Sequence, residues 1–115
     1  MLNITKEEGQ YRVELYKGDR LNTLLSDQVK EQLTELVEIP GTEVIFNLEG
    51  VRFIDTHGFE VLSEITGLAR EKGSQFKLCN LSEDVKELVI LLELEGKLTF
   101  VNCKNTREKI LLVLE

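Results

Sequence analysis

Two apolar patterns alternate along this chain, and their alternation constrains the fold more than any other feature. Residues 44–48 form an almost continuous apolar run rich in β-branched and aromatic side chains, which is typical of a strand covered on both faces. Behind this run, apolar residues recur at helical spacing as far as Gly73. They are Phe59, Val61, Leu62, Ile65, Leu68 and Ala69. A central parallel strand followed by a helix is the unit from which α/β domains are built.

The N-terminal part of the chain extends this alternation. Residues 2–4 and 11–15 alternate with period two on either side of Glu8-Gly9-Gln10, which predicts an opening β-hairpin. Residues 23–38 then carry apolar side chains at helical spacing, and Pro40-Gly41 marks the end of this predicted helix. Two strands and one helix are therefore expected before the central strand.

The C-terminal part repeats the sequence of strand and helix. Residues 76–79 predict a strand, and a helix is expected after it from Ser82, as the N-cap, to Gly96. Residues 98–101 predict a last short strand, and Asn105-Thr106 begins a final helix. We therefore predict an α/β sandwich whose mixed, mostly parallel sheet of about five strands is covered by four helices. At 115 residues, the chain is expected to form a single domain, 1–115.

The net charge of the chain argues against nucleic acid as a partner. Fourteen basic and twenty-one acidic residues give a formal net charge of -7. Because Lys and Arg form no cluster, nucleic acid is not an expected partner.

The longest apolar cluster, residues 88–92, is far shorter than the roughly 20 residues that cross a bilayer, so no membrane insertion is expected. The first residues lack the pattern of a secretory signal, which favours a cytoplasmic protein.

Few residues suit a metal or a cofactor. Cys79 and Cys103 fall in or beside apolar strand patterns, and we interpret them as small buried side chains in a reducing compartment rather than as a disulfide. A single histidine cannot complete a zinc site with two cysteines. The glycines form no phosphate-binding loop. We therefore expect neither a metal nor another cofactor.

The turn Asp55-Thr56-His57-Gly58 is the best candidate for a functional segment. It leads from a predicted strand into a helix, and functional groups of open α/β sheets gather at the carboxyl ends of strands. A Thr or Asp at a helix start can simply cap the helix. The same position also exposes a hydroxyl, and a phosphate on it would meet backbone amides and the positive end of the helix dipole. Thr56 is thus a candidate for a helix cap or for a phosphorylation switch.

At this turn, the chain resembles a known family. Residues 44–62, with a buried strand, the turn Asp55-Thr56-His57-Gly58 and an apolar helix, resemble the signature of STAS domains, the family of bacterial anti-sigma factor antagonists. The family's turn has an Asp-Ser-Ser/Thr-Gly-like sequence, and the resemblance extends over essentially the whole chain. It implies a regulator of transcription that acts by protein–protein interaction and is not an enzyme.

The resemblance also implies a partner and a switch. In the family, the hydroxyl residue after the Asp is phosphorylated by an anti-sigma factor with serine/threonine kinase activity, and the unmodified domain binds that factor. Carried over to this chain, the phosphate acceptor is Thr56. The implied partner-binding residues are Asn22, Asp55, Thr56, His57, Gly58, Phe59 and Glu60. A homodimer is left open.

A hydrolytic function of the same turn is not expected. Asp55, Thr56 and His57 contain the residue types of a hydrolytic triad, but adjacent side chains at a helix start point in different directions. The alternative within the family is a STAS scaffold, or a subunit of a transport complex, that acts by protein interaction and is not phosphorylated.

Overall fold

The computed structural model describes residues 2–15, 20–21 and 23–102. Nine elements follow one another in this part of the chain. They are β1 (Leu2–Glu7), β2 (Gln10–Leu15), β3 (Arg20–Leu21), α1 (Thr23–Val37), β4 (Glu43–Asn47), β5 (Phe53–Ile54), α2 (Thr56–Lys72), β6 (Gln75–Cys79) and α3 (Glu83–Leu91). The opening hairpin, the two long helices and the central strand were predicted from the sequence pattern, and the structure confirms them.

Four of the strands form a mixed sheet in the order β1-β2-β4-β6. Strands β1 and β2 are antiparallel, whereas β4 runs parallel to both β2 and β6. The predicted central, parallel position of residues 44–48 is therefore confirmed. A separate parallel pair, β3 and β5, was not predicted, because two-residue strands are too short to show a periodic pattern.

The main apolar core of the described residues lies between the sheet and the helices. Val44 and Phe46 of β4 are fully buried there, together with Leu33 of α1 and Leu62 of α2. Val85 and Val89 of α3 belong to the same cluster, so all three described helices contribute to the core on one face of the sheet. Fully burying one such side chain contributes roughly 1.5–3 kcal/mol, which makes this layer the main source of stability.

The other face of the sheet is largely polar. Arg12, Ile45 and Lys77 lie side by side on β2, β4 and β6. Next to them, Glu43 accepts hydrogen bonds from Gln10 Nε2 at 2.6 Å and from Lys77 Nζ at 2.6 Å. The hydrogen bond from Lys77, followed by that from Gln10, lowers the pKa of Glu43 below its ordinary value.

The C-terminal part differs from its prediction in two places. Helix α3 ends at Leu91 instead of Gly96, because Glu93 adopts a left-handed φ of 56° and the amide of Leu94 bonds back to Val89 O. The predicted strand at 98–101 is reduced to one bridge, in which only Leu78 exchanges hydrogen bonds with Thr99 and Val101. Three helices are present in the described residues, and the predicted fourth, from Asn105 onward, lies outside them.

The structure corrects the prediction for one of the two cysteines. Cys79 at the end of β6 is buried and disulfide-bonded, so the prediction of a free thiol at this position is wrong. Cys103 lies outside the described residues.

In the ranges that the structure describes, no helix is long and apolar enough to span a bilayer.

Candidate functional site

The short pair β3–β5 places the beginnings of α1 and α2 next to each other. The two strands are parallel, with Arg20 opposite Phe53 and Leu21 opposite Ile54, and each strand leads almost directly into a helix. The amide of Asp55 also donates a hydrogen bond to Leu21 O at 3.2 Å. Because both helices start from the carboxyl ends of paired strands, their N-terminal turns share one end of the molecule.

Asp55 is the N-cap of α2. Its backbone is extended, with φ of -83° and ψ of 175°, and its Oδ1 accepts a hydrogen bond from the amide of Gly58 at 2.8 Å. An N-cap of this kind stabilises a helix by about 1 kcal/mol. Since Asp55 provides the cap, Thr56 is not required for it. Thr56 is the first residue of the helix, and its side chain is exposed.

Gly58 lies where the first turn of α2 passes very close to the β3–β5 pair. A Cβ atom at this residue would lie 2.7 Å from Leu21 O and 2.8 Å from Ile54 Cγ2. Contacts this short require the surrounding backbone to move, and Leu21 O is a backbone atom. The glycine of the turn therefore lets the start of α2 rest directly on the β3–β5 pair.

His57 connects the first turn of α2 to α1. Its Nε2 lies 2.9 Å from Oδ1 of Asp27 on α1, and its Nδ1 lies 3.8 Å from Oε2 of Glu60. The hydrogen bond with Asp27 raises the pKa of His57 above its ordinary value, while partial desolvation acts in the opposite direction. The charges of Asp27, Glu60 and Asp55 raise the pKa of His57 further.

A second ion pair joins the same two helices. Lys30 Nζ of α1 lies 2.6 Å from Oε2 of Glu64 on α2, and this carboxylate raises the pKa of Lys30. Lys30 is already cationic throughout the neutral range, so this second pair keeps its charges where His57 titrates. The two helices are thus tied beside Thr56 by a titratable pair and further along by a permanent one.

The structure brings most of the predicted site residues to one surface and places others beneath it. Thr56 and Glu60 are exposed, and His57 and Asp55 are partly exposed. Gly58 and Phe59 are buried, and Phe59 belongs to the apolar core. Asn22 lies outside the described residues. The surface at the start of α2, which we call the Thr56 surface, therefore consists of Asp27, Asp55, Thr56, His57 and Glu60.

Two residues near this turn were missed from sequence. Asp27 is thirty positions from His57 and carries no local signal, because the pairing of β3 with β5 and the packing of α1 on α2 bring the two helix starts together. Phe53, three positions before Thr56, is 44% exposed, and no pattern in the sequence marks it as a surface residue. In the described residues, no group of three or more side chains is arranged to hold a metal ion.

The sequence model of the STAS domain family matches residues 19–110. The chain belongs to the STAS domain family. The match covers most of the sequence and includes the β3–β5 pair, both long helices and the Thr56 surface. The sequence resemblance noted at residues 44–62 is thus confirmed for the family. None of the curated proteins compared with this STAS domain matches it in sequence.

Solved structures share the fold of this STAS domain. An anti-sigma-factor antagonist (STAS) domain protein from Planctomyces limnophilus has a TM-score of 0.77 at 18% identity, with 99% of this chain and 98% of that chain covered. The anti-sigma factor antagonist SpoIIAA from Bacillus, in its unphosphorylated form, has a TM-score of 0.69 at 10% identity, with 96% and 97% covered. SpoIIAA has also been solved in a phosphorylated form, which superimposes with a TM-score of 0.68 at 12% identity, with 96% and 99% covered.

A membrane protein contains a similar domain. The murine Solute Carrier 26 family member A9 anion transporter matches with a TM-score of 0.62 at 19% identity. The alignment covers 76% of this chain and 14% of the transporter chain. At these identities the likeness to solved structures establishes the fold, and the same fold occurs in both regulators and a transporter.

Proposed function

We propose that this STAS domain is an anti-sigma factor antagonist. It binds an anti-sigma factor with serine/threonine kinase activity through the Thr56 surface, and phosphorylation of Thr56 ends the binding. The observation that carries the proposal is the exposed Thr56 side chain at the first position of α2, directly after the capping Asp55, in a domain of this family. The structural likeness to anti-sigma factor antagonists supports the choice of partner.

The charge of the Thr56 surface explains why a phosphate would act as a switch. Asp27, Asp55 and Glu60 all act electrostatically on His57, so three carboxylates lie around this surface. A phosphate would add about -1.5 to -2 charges at neutral pH. The amides at the start of α2 favour an anion, but the summed field of the surface would become much more negative. A partner surface matched to the unmodified charge would no longer fit.

An apolar residue next to the turn supplies a second element of recognition. Phe53 is a large exposed aromatic residue on β5, and the exposed Arg20 lies opposite it on β3. Aromatic residues and Arg are enriched among the residues that dominate binding energy at protein interfaces. We therefore expect the partner to present a mixed surface, with basic groups facing the acidic side chains and an apolar pocket for Phe53.

The test has two stages. Intact mass spectrometry and peptide mapping of protein isolated from its native cells, in normal growth and under stress, should find a phosphate on Thr56 whose occupancy changes with conditions. Calorimetry with the candidate anti-sigma factor should then show tight binding for the wild type and Thr56→Ala, and at least tenfold weaker binding for Thr56→Glu. Thr5→Glu is the matched control, since Thr5 is also exposed but lies on edge strand β1. Equal affinity of Thr56→Glu and Thr5→Glu would refute the switch.

The second candidate is a STAS scaffold or transport-complex subunit without a phosphorylation switch. The observation in its favour is the occurrence of the same fold in an anion transporter. This function predicts that Thr56→Ala and Thr56→Glu behave alike in the cell, and that Thr56 carries no phosphate under any condition. Unequal behaviour of the two variants would exclude it.

A further inference from the structure

Both ring nitrogens of His57 face carboxylate oxygens. Nε2 lies 2.9 Å from Asp27 Oδ1, within hydrogen-bond distance, and Nδ1 lies 3.8 Å from Glu60 Oε2. A neutral imidazole has one N–H group and one lone pair, so one of its nitrogens would present a lone pair to an anion. Only the imidazolium form has a proton on each nitrogen. The arrangement therefore fits a charged His57.

The charged groups around His57 come from two helices. Asp27 belongs to α1, and Asp55 and Glu60 lie at the N-terminal end of α2. All three carboxylates favour the protonated ring and raise the pKa of His57, with the hydrogen bond of Asp27 as the largest cause. Lys30, the nearby cation of α1, is engaged by Glu64 at 2.6 Å. The imidazolium thus places a positive charge directly between Asp27 and Glu60, in the first turn of the helix that begins at Thr56.

We propose that His57 is a proton-coupled counterion of the Thr56 surface: negative charge added at Thr56 promotes proton uptake by His57, and a docked cationic partner promotes proton release. This regulation rests on the proposed function, because the phosphate and the basic partner are its two natural sources of charge. Coupling between two sites is reciprocal, so the state of the proton affects each event as strongly as each event affects the proton.

Two physical consequences follow from this coupling. Above the pKa of His57, Asp27 and Glu60 lose the positive charge that lies between them, and a basic partner binds the unmodified protein more tightly. Below that pKa, the imidazolium ties α1 to α2 and reduces the negative charge that the partner meets. The Lys30–Glu64 pair is unaffected over this range, so the change is confined to the end of the helix pair that carries Thr56.

The experiment is an NMR titration of His57 in the isolated protein. The chain has one histidine, so the imidazole resonances need no assignment among several rings. Four proteins are compared with the wild type: Thr56→Glu, Thr56→Ser, Asp27→Asn and Glu64→Gln. The three positions that these variants change, Asp27, Thr56 and Glu64, lie on helices and are exposed, so folded variants are expected.

The expected result is a set of ordered pKa values for His57. Thr56→Glu should have a higher pKa for His57 than Thr56→Ser, because it adds an anion at the residue that precedes His57 in the first turn of α2. Asp27→Asn should lower this pKa, and Glu64→Gln should leave it at the wild-type value, since Glu64 acts on Lys30. Equal His57 pKa values for Thr56→Glu and Thr56→Ser would overturn the proposal, as would an equal effect of Asp27→Asn and Glu64→Gln.

This outcome is independent of the outcome for the proposed function. The titration uses no partner and no kinase, so a protein whose Thr56 is never phosphorylated in cells can still show the coupling between Thr56→Glu and His57. Conversely, a phosphorylated Thr56 in a protein whose His57 does not respond to Thr56→Glu would support the switch and reject the counterion.

Discussion

The backbone carbonyl of Leu21 lies so close to Gly58 that the two residues leave no space for a side chain between them. A Cβ atom on Gly58 would be 2.7 Å from Leu21 O. Leu21 ends β3 and Gly58 lies in the first turn of α2, so this contact places the turn Asp55-Thr56-His57-Gly58 directly on the β3–β5 pair. The glycine in the motif is therefore a requirement of packing and needs no direct role in partner recognition.

Gly58→Ala should destabilise the protein. The clash with Leu21 and Ile54 is an overpacking effect, for which we expect a loss of about 1–3 kcal/mol in the free energy of unfolding, measured by urea denaturation. Gly67→Ala is the matched control on the same helix, because no atom lies within 4 Å of a Cβ placed there. The control should be stabilised by up to about 1 kcal/mol through helix propensity. Similar stability changes in both variants would show that the approach to Leu21 is not tight.

The long elements could be predicted because their patterns are local. The apolar run at 44–48 and the helical stripe behind it are visible in the sequence, and they correspond to β4 and α2. The same holds for the turn at Asp55, where a cap residue follows a strand and precedes apolar residues at helical spacing. Local patterns therefore predicted the class of the fold and the turn that joins β5 to α2.

The surface around Thr56 could not be predicted in full because it depends on contacts between distant segments. Asp27 meets His57 because the β3–β5 pair and the packing of α1 on α2 align the two helix starts, and a two-residue strand has no period to detect. Phe59 was placed both in the apolar stripe of the helix and at the partner surface, and it is a core residue, as the stripe predicted. Sequence neighbours at a helix start lie on different faces of the helix.

Removal of the cap at Asp55 should separate the structural role of this side chain from that of its charge. Asp55→Ala deletes the acceptor of the Gly58 amide and should lower the free energy of unfolding by about 1 kcal/mol. Asp55→Asn keeps an acceptor oxygen and should cost much less, so chemical denaturation of the two variants provides the measurement. If both variants lose the same stability, the charge of Asp55 is what stabilises the fold, and capping is a minor contribution.

The Glu43–Lys77 pair should make stability sensitive to acid. The pKa of Glu43 is lowered in the folded state, so its contribution is complete above the unfolded pKa of about 4.3 and disappears as the pH falls through the lower, folded value. Glu43→Gln should remove this part of the acid dependence. The measurement is the difference in unfolding free energy between wild type and variant, followed from pH 7 towards pH 3 by urea denaturation.

The physical cause of the Glu43 effect can be isolated with a second variant. Lys77→Met removes the ammonium group, which is the largest cause of the lowered pKa of Glu43, and leaves the hydrogen bond from Gln10. The acid dependence should therefore shrink but persist in this variant. Coupling between positions 43 and 77 in a double-mutant cycle should be roughly 1 kcal/mol at neutral pH and should vanish at low pH. A coupling that is unchanged by acid would rule out an ionic origin.

Phe53, the exposed aromatic residue three positions before the proposed phosphorylation site Thr56, should dominate binding of the partner. Phe53→Ser should weaken the affinity for the anti-sigma factor by at least about tenfold, because aromatic anchors near the centre of an interface often contribute 2 kcal/mol or more. Ile39→Ser is the matched control: Ile39 is 51% exposed, compared with 44% for Phe53, and it follows the other end of α1. Calorimetry with the same partner should give wild-type affinity for the control.

Because both side chains are substantially exposed, the two variants should unfold within about 1 kcal/mol of each other, so a selective loss of affinity in Phe53→Ser reports on the interface. Equal affinities would move the partner contact away from the β3–β5 pair.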